Sequence, residues 1–393
     1  MIVAALACQA QYQLPNPGFE QWDGSSATAE PTHWNSFASS DGSYASMASA
    51  PHHYHRQGGR PGSTGSSYLT IYTKSILGIK ANGNMTTGRI HAGALSASSS
   101  DNYNYTQRSN ADHRQPFAGT PDSMYVWVSF YAASSSSQAQ VTAYLHGDND
   151  FRSPNDEGNT SLYRGIAQRS FTRTTTSASS MQWQQLKVPF VYSGSSTANY
   201  MLINLTTNAT PGGGAADDSL SIDDIEFVYS AWLTGISVNG VPVPDFDKGV
   251  LDYNMHIDNL EDIEVDFQTE VNDVTTTELQ ETIDDTTVLF TIGVMAEDGV
   301  TFRQYRLTLT TGAPAVGIAQ PLSHPVARLH AYPNPASDRV SVEADGRVEL
   351  YDMYGRCLSS SDVKGCATMN LEAMPAGIYL LRCGGATTRV VKR

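Results

Sequence analysis

Charge is scarce in this sequence, and cysteine scarcer still. Only 16% of the 393 residues are Asp, Glu, Lys or Arg, against ~25% in an average chain. That excludes a coiled coil and a charge-rich disordered chain. The surface must take its polarity from Ser, Thr, Asn, Gln and Gly, as secreted β-proteins do. Basic residues number 24 against 39 acidic ones, for a net charge of −15. Phosphate binding needs clustered Lys and Arg, so no nucleic-acid partner is expected, and adhesion to an anionic membrane surface is disfavoured for the same reason. No run approaches the ~20 apolar residues of a membrane helix, so no integral span is expected. The four cysteines are Cys8, Cys357, Cys366 and Cys383. The long stretch between the first two therefore cannot depend on disulfides, and the odd number near the end leaves at least one thiol without a partner there. Walker, Rossmann, G-x-S-x-G and H-E-x-x-H patterns are all absent.

What is present is β-structure. From Leu14 to about Tyr229, short alternating runs are separated by Gly, Ser and Asn clusters: "SYLTIYT", "MYVWVSFYA", "AQVTAYLHG", "LKVPFVYS", "NYMLINLTT" and "SLSIDDIEFVY". Each reads as a strand, and no segment holds a helical period. The spacing implies an all-β sandwich or jelly roll. A second alternating set, from "LTGISVNGVPV" to "FRQYRLTLTTG", occupies residues 233–312. A Pro- and Ala-rich linker over 313–329 separates it from a last β-unit, 330–393. Residues 1–13, apolar and then small, read as the tail of a secretory signal peptide.

The last unit carries Tyr332-Pro333-Asn334-Pro335, then Tyr351-Asp352 with Gly355-Arg356, then Gly377-Ile378-Tyr379, and ends on Lys392-Arg393. This ordered set resembles the type A C-terminal sorting domain of the type IX secretion system. The resemblance implies a small β-sandwich, recognition by the type IX machinery, and a secreted or outer-membrane-surface location. Residues 233–312 resemble the bacterial cadherin-like β-sandwich family, on "LTGISVNG", "DFDKGVLDYNMHI" and "AEDGVTFRQYRLTL". Residues 14–230 open on "LPNPGFEQWD" and close on "DDSLSIDDIEFVY", with "FAGTPDSMYVWVSFYA" between. They resemble a carbohydrate-metabolism domain of Bacteroidetes surface proteins, which implies a galactose-binding-like jelly roll and work on sugars.

Two candidate sites follow in that jelly roll. The opening and closing stretches also resemble the ends of jelly-roll carbohydrate-binding modules, in which "GFE" starts the first strand and the two end strands share a structural Ca²⁺. Glu20, Asp223 and Asp224 supply hard oxygens suited to that ion. Strict alternation would put Ile222 with Asp224 on one face and Asp223 with Ile225 on the other, so that one Asp alone is a direct ligand. The second site is an aromatic and polar face. Tyr125, Trp127 and Tyr131 share one side of their strand, Tyr144 and His146 one side of theirs, and Tyr200 and Asn204 one side of a third. Such a face could stack sugar rings and bond their hydroxyls. "PHHYHRQGGRPG" (His52, His53, His55) reads as a loop with no carboxylate or Cys to complete a metal site. The expected function is non-catalytic glycan binding. The alternatives are a structural or adhesive protein that docks another protein, and a glycoside-processing enzyme, for which no carboxylate pair is evident.

Overall fold

The computed structural model describes residues 12–311 apart from 27, 50, 51, 77, 178 and 179, and residues 329–393 apart from 333, 353–355, 384 and 385. The expected signal tail (up to residue 11), most of the linker and Pro333 lie outside the described residues. The chain divides into two compact units, Met1–Ser230 and Ala231–Arg393.

The described residues of the first unit form fourteen strands. They are β1 (His53–Gln57), β2 (Ser67–Tyr72), β3 (Lys74–Ile76), β4 (Ile79–Ala81), β5 (Asn84–Thr86), β6 (Arg89–Ala92), β7 (Asn102–Tyr105), β8 (Ser123–Tyr131), β9 (Ala139–His146), β10 (Arg152–Ser153), β11 (Tyr163–Phe171), β12 (Gln184–Val191), β13 (Tyr200–Thr206) and β14 (Ser219–Val228). Nine of them form one path, β1-β2-β14-β8-β12-β11-β9-β13-β5. At its middle, β11 and β12 share only two ladder pairs, Ile166 with Val191 and Ala167 with Phe190. The path is therefore two half-sheets, of five and four strands, joined at a corner. Period-2 alternation gives each half-sheet an apolar side. Met124, Val126, Val128 and Phe130 of β8 are fully buried, as are Val141, Ala143 and Leu145 of β9 and Met201, Ile203 and Leu205 of β13. Every strand read from the sequence in this unit forms. The "HYHRQ" stretch, read as a loop, is instead edge strand β1. Strand β11 was not singled out, because its core-facing side is built from Gly165 and Ala167 rather than large aliphatics, and a bulge turns Tyr163 to the opposite side, beside Tyr144 and Phe151.

The second unit contains β15 (Leu233–Val238), β16 (Val241–Pro242), β17 (Asp252–His256), β18 (Val265–Thr269), β19 (Val274–Asp284), β20 (Thr287–Ala296) and β21 (Phe302–Thr310). These form the sheets β16-β15-β18 and β17-β21-β20-β19. Tyr305, Leu307 and Leu309 are fully buried, whereas edge strand β19 is exposed along nearly its whole length. Toward the chain end, β22 (His330–Tyr332), β23 (Arg339–Tyr351), β24 (Cys357–Asn370), β25 (Gly377–Cys383) and β26 (Ala386–Lys392) form one sheet. Its apolar cluster is centred on Val340, Val342, Leu350, Leu381 and Val390.

The contrast between core and edge is measurable. Leu145→Ala is expected to cost about 2–5 kcal/mol, because it empties a packed site. Leu279→Ala on β19 should stay within about 0.5 kcal/mol. Urea unfolding of the two variants checks this; comparable losses would contradict the burial described here.

Candidate functional site

The outer face of the four-stranded half-sheet carries a cleft of about 390 Å³, within the range of ligand sites. Its floor is a polar ladder set by register. Gln168 of β11 pairs with Thr142 of β9, Thr142 with Asn204 of β13, and Asn204 with Thr86 of β5. One row further, Ser170, Gln140, Thr206 and Asn84 line up in the same way. Alternation puts all of these on the side opposite the core. The walls are apolar and aromatic: Phe37, Tyr44 and Met47 on one segment, Ile76 and Ile79 on the β3–β4 hairpin, then Leu95 and Tyr103. Met47 and Leu95 are exposed.

The floor is held rigid by amide bonds. Asn204 Oδ1 accepts from Thr86 Oγ1 and Asn104 Nδ2, each at 2.9 Å. Asn104 and Asn84 exchange reciprocal bonds of 3.0 Å. Both bonds to Asn204 fall on its oxygen, and among the described residues no hydrogen bond is made by the Asn204 NH₂, in a side chain that lines the cleft. At one end Tyr144 donates to Glu157 Oε1 at 2.6 Å, and Ser153 Oγ lies 3.0 Å from both groups. Burial, and then the Glu157 charge, push the Tyr144 phenol well above its usual range. At the other end Tyr103 stacks on His91 with centroids 4.7 Å apart. His91 Nδ1 lies 2.7 Å from Asp41 Oδ1. Burial works against ionisation of Asp41, but hydrogen bonds from Tyr105 and His91 and the charge of Arg89 hold it below the usual carboxylate range.

Of the residues expected to touch sugar, Tyr144 and Asn204 line this cleft. His146 does not. Its ring is buried between Phe151 and Tyr200, Nε2 is 2.8 Å from Thr106 Oγ1, and burial lowers its pKa to about 4. Tyr200 is half-buried against it. Tyr125, Trp127 and Tyr131 lie on the other half-sheet, since β12 and β11 intervene between β8 and β9. The seven residues therefore do not form one platform; parity alone could not tell which strands are neighbours. Sequence reading missed Gln140, Gln168, Asn84, Asn104 and Tyr103. The "NYNY" run of β7 was the available signal for two of them.

The expected calcium residues meet at a different arrangement. The segment around Gly18 does lie beside β14, with Ile225 N–H bonded to the Pro17 carbonyl at 3.0 Å. "GFE" forms no strand; Phe19 turns to φ 56° and buries its ring against Trp34. A bulge in β14 overturns the expected alternation: Asp223 pairs with Trp127, but Glu226, not Glu226's predecessor, pairs with Tyr125. The extra residue, Asp224 at φ 43°, flips the parity, so that Ile222 and Ile225 both face the core. Both aspartates then turn to Arg60. Its Nη2 is 2.6 Å from Asp224 Oδ2, its Nε is 3.6 Å from Asp223 Oδ2, and its guanidinium covers the Trp127 ring at 4.0 Å. Glu20 is engaged elsewhere, accepting from the N–H and hydroxyl groups of Ser66 and Ser67 at 2.8–3.3 Å. Burial raises its pKa, but those bonds outweigh it and leave the carboxyl lowered. Among the described residues no cluster of His, Cys, Asp and Glu has the geometry to hold a metal. In this arrangement Arg60 supplies the positive charge beside two of the acids, and the Ser66–Ser67 corner bonds the third.

Asp223 is fully buried, and burial together with the neighbouring Asp224 charge pushes its pKa up to about 7. An unfolded aspartate titrates near ~3.9, so the native state holds this proton more tightly. The stability it contributes is complete below pH ~4 and is lost as pH rises toward 7. Asp223→Asn should therefore gain stability relative to wild type between pH 4 and 7 and change little above. Paired thermal melts across that range check it; a constant difference would contradict the shift.

The sorting motif residues are latches of their own sheet. Asn334 donates to the Arg389 carbonyl at 2.6 Å and accepts from Val391 N–H at 2.8 Å. Ala336 N–H, next to Pro335, bonds the Val391 carbonyl. Gly377 pairs with Lys392 across the ladder, and the Tyr379 hydroxyl donates to the Pro375 carbonyl. Lys392 is buried, with Nζ donating to the carbonyls of Leu371 (2.5 Å), Glu372 (3.2 Å) and Met374 (2.5 Å). Tyr332 alone among these large side chains is half exposed. Lys392→Met would leave three carbonyls without their donor and should destabilise this sheet by about 1–3 kcal/mol. Limited proteolysis of the chain end would report it; unchanged resistance would speak against the latch.

Residues 330–393 match the family of secretion system C-terminal sorting domains. No curated protein is similar to the chain. In the described residues no helix is long and apolar enough to cross a membrane. The sorting domain marks the chain for export by type IX secretion, to be held at the cell surface or released.

Proposed function

We propose that the first unit is a non-catalytic glycan-binding module of galactose-binding-like jelly-roll type. The cadherin-like segment, 233–312, then serves as a spacer before the sorting domain. One observation carries this reading: a rigid ladder of amides and hydroxyls, Gln168-Thr142-Asn204, forms the floor of a cleft whose walls are Tyr103, Tyr44, Met47 and Leu95. Sugars need both surfaces. Their hydroxyls bond amide donors and acceptors, and their C–H faces lie on aromatic and aliphatic carbon. The cleft's carboxylate, Glu157, is already bonded to Tyr144 and Ser153. It is the lone carboxylate among the described residues lining the cleft, whereas glycoside hydrolysis ordinarily uses two. An exported, surface-held or released protein is placed where polysaccharide is met.

The test is a glycan array probed with the full chain, followed by Gln168→Ala and Tyr103→Ala. Gln168 is exposed and Tyr103 half-exposed, so Gln168→Ala should keep the Tm within the range of surface substitutions, about 0.5 kcal/mol. Both variants should lose glycan retention. Full retention by both would remove the cleft from the binding event.

A further inference from the structure

We infer that the cleft takes an uncharged glycan chain laid across strands β11, β9 and β13, and turns away acidic glycans. This rests on the glycan-binding reading and adds the class of ligand and its direction. The direction follows from the ladder. Gln168, Thr142 and Asn204 occupy one register row on three adjacent strands, and adjacent strands are ~4.8 Å apart. Polar groups thus repeat across the strands at about the length of one sugar unit. Along a strand, same-face groups recur only every second residue, at ~6.8 Å. An extended chain crossing the strands meets one polar group per unit.

The charge class follows from the lining. Apart from tyrosines, the ionisable groups there are Lys80, His91 and Glu157. The Lys80 ammonium donates to the Gly214 carbonyl at 2.6 Å. His91 is held between Asp41 at 2.7 Å and Asp101 at 3.8 Å. Glu157 presents a carboxylate with two hydroxyl partners. An acidic sugar would meet the Glu157 carboxylate, and the one lysine ammonium among the described lining residues, Lys80, already donates to a carbonyl. Its charge would be desolvated beside Glu157 with Lys80 as the single lysine counter-charge, which is costly. A neutral sugar meets the Asn204 NH₂, unpartnered among the described residues, the exposed amide of Gln168 and the apolar walls, and brings no charge of its own to desolvate.

The experiment is affinity electrophoresis of the full chain in gels containing neutral polysaccharides (a xylan, a galactomannan, a mixed-linkage β-glucan) or acidic ones (polygalacturonate, alginate) at about physiological ionic strength. Retardation is expected with at least one neutral polymer and with neither acidic one. Calorimetry with oligomers of the retained polymer should show affinity rising up to three or four units and then levelling. Asn204→Asp keeps the acceptors for Thr86 and Asn104 but replaces the free donors with charge, and should weaken neutral binding by about tenfold or more. Gln168→Lys places an exposed cation on the ladder and should bring measurable retention on polygalacturonate. Acidic polymers held by the wild type as strongly as neutral ones would overturn the charge class and leave the glycan reading intact. An affinity already complete with a monosaccharide would overturn the crosswise chain. Retardation by no polymer of either class would sink the glycan reading itself.

Discussion

Strand β9 is buried on both faces, and the candidate site depends on that constraint. Its inward side chains, Val141, Ala143 and Leu145, belong to the apolar core. Its outward ones, Thr142, Tyr144 and His146, are polar and almost as deeply buried. Buried polar groups must find partners or forfeit their hydration. Two of them do so through a segment that folds over the outer face: Thr106 meets His146, and Ser153 and Glu157 meet Tyr144; on the next strand Asn104 reaches Asn204. The sheet β10-β7-β6 is therefore tied down by side-chain bonds to the half-sheet beneath it. The cleft is the part of that outer face left uncovered, so its floor inherits the rigidity of the surrounding network.

The Arg60 corner shows the same logic applied to charge. A bulge in β14 brings two aspartates to one place, one of them fully buried. Unpaired, that pair would be strongly unfavourable. Arg60 offsets it, and the flat guanidinium also covers Trp127, the cross-strand partner of Asp223. Glycine at position 18 lets the opening segment approach, since an added Cβ would sit 3.1 Å from Asp224 Oδ1. The two ends of the unit are joined by these contacts without any disulfide.

At the other end of the chain, the ordered sorting motif is an architectural one. Asn334 bridges Arg389 and Val391, Gly377 pairs with Lys392, and Lys392 ties the Leu371–Met374 turn. Motif elements far apart in sequence are thus neighbours in one sheet. Asn334 and Lys392 each satisfy backbone groups contributed by distant parts of that sheet.

How much was legible in advance follows from the range of the physics involved. Alternation is local, so "MYVWVSFYA" and "NYMLINLTT" announce strands and name their apolar sides. The all-β class and the terminal sorting domain followed from the chain alone. Features whose partners are not local stayed hidden. Strand β19 is exposed on both sides and has no alternation to read. The bulge at Asp224 reverses parity in a run that looks regular. Whether Trp127 and Tyr144 share a face depends on strand order, which places two strands between theirs. The cleft was hidden for the same reason: Gln168, Thr142 and Asn204 are ordinary polar residues, far apart in sequence, until strand pairing puts them in one row. The sequence by itself determined which residues could face a ligand; tertiary structure decided which of them do, because register and strand order are set by the packing of the whole unit.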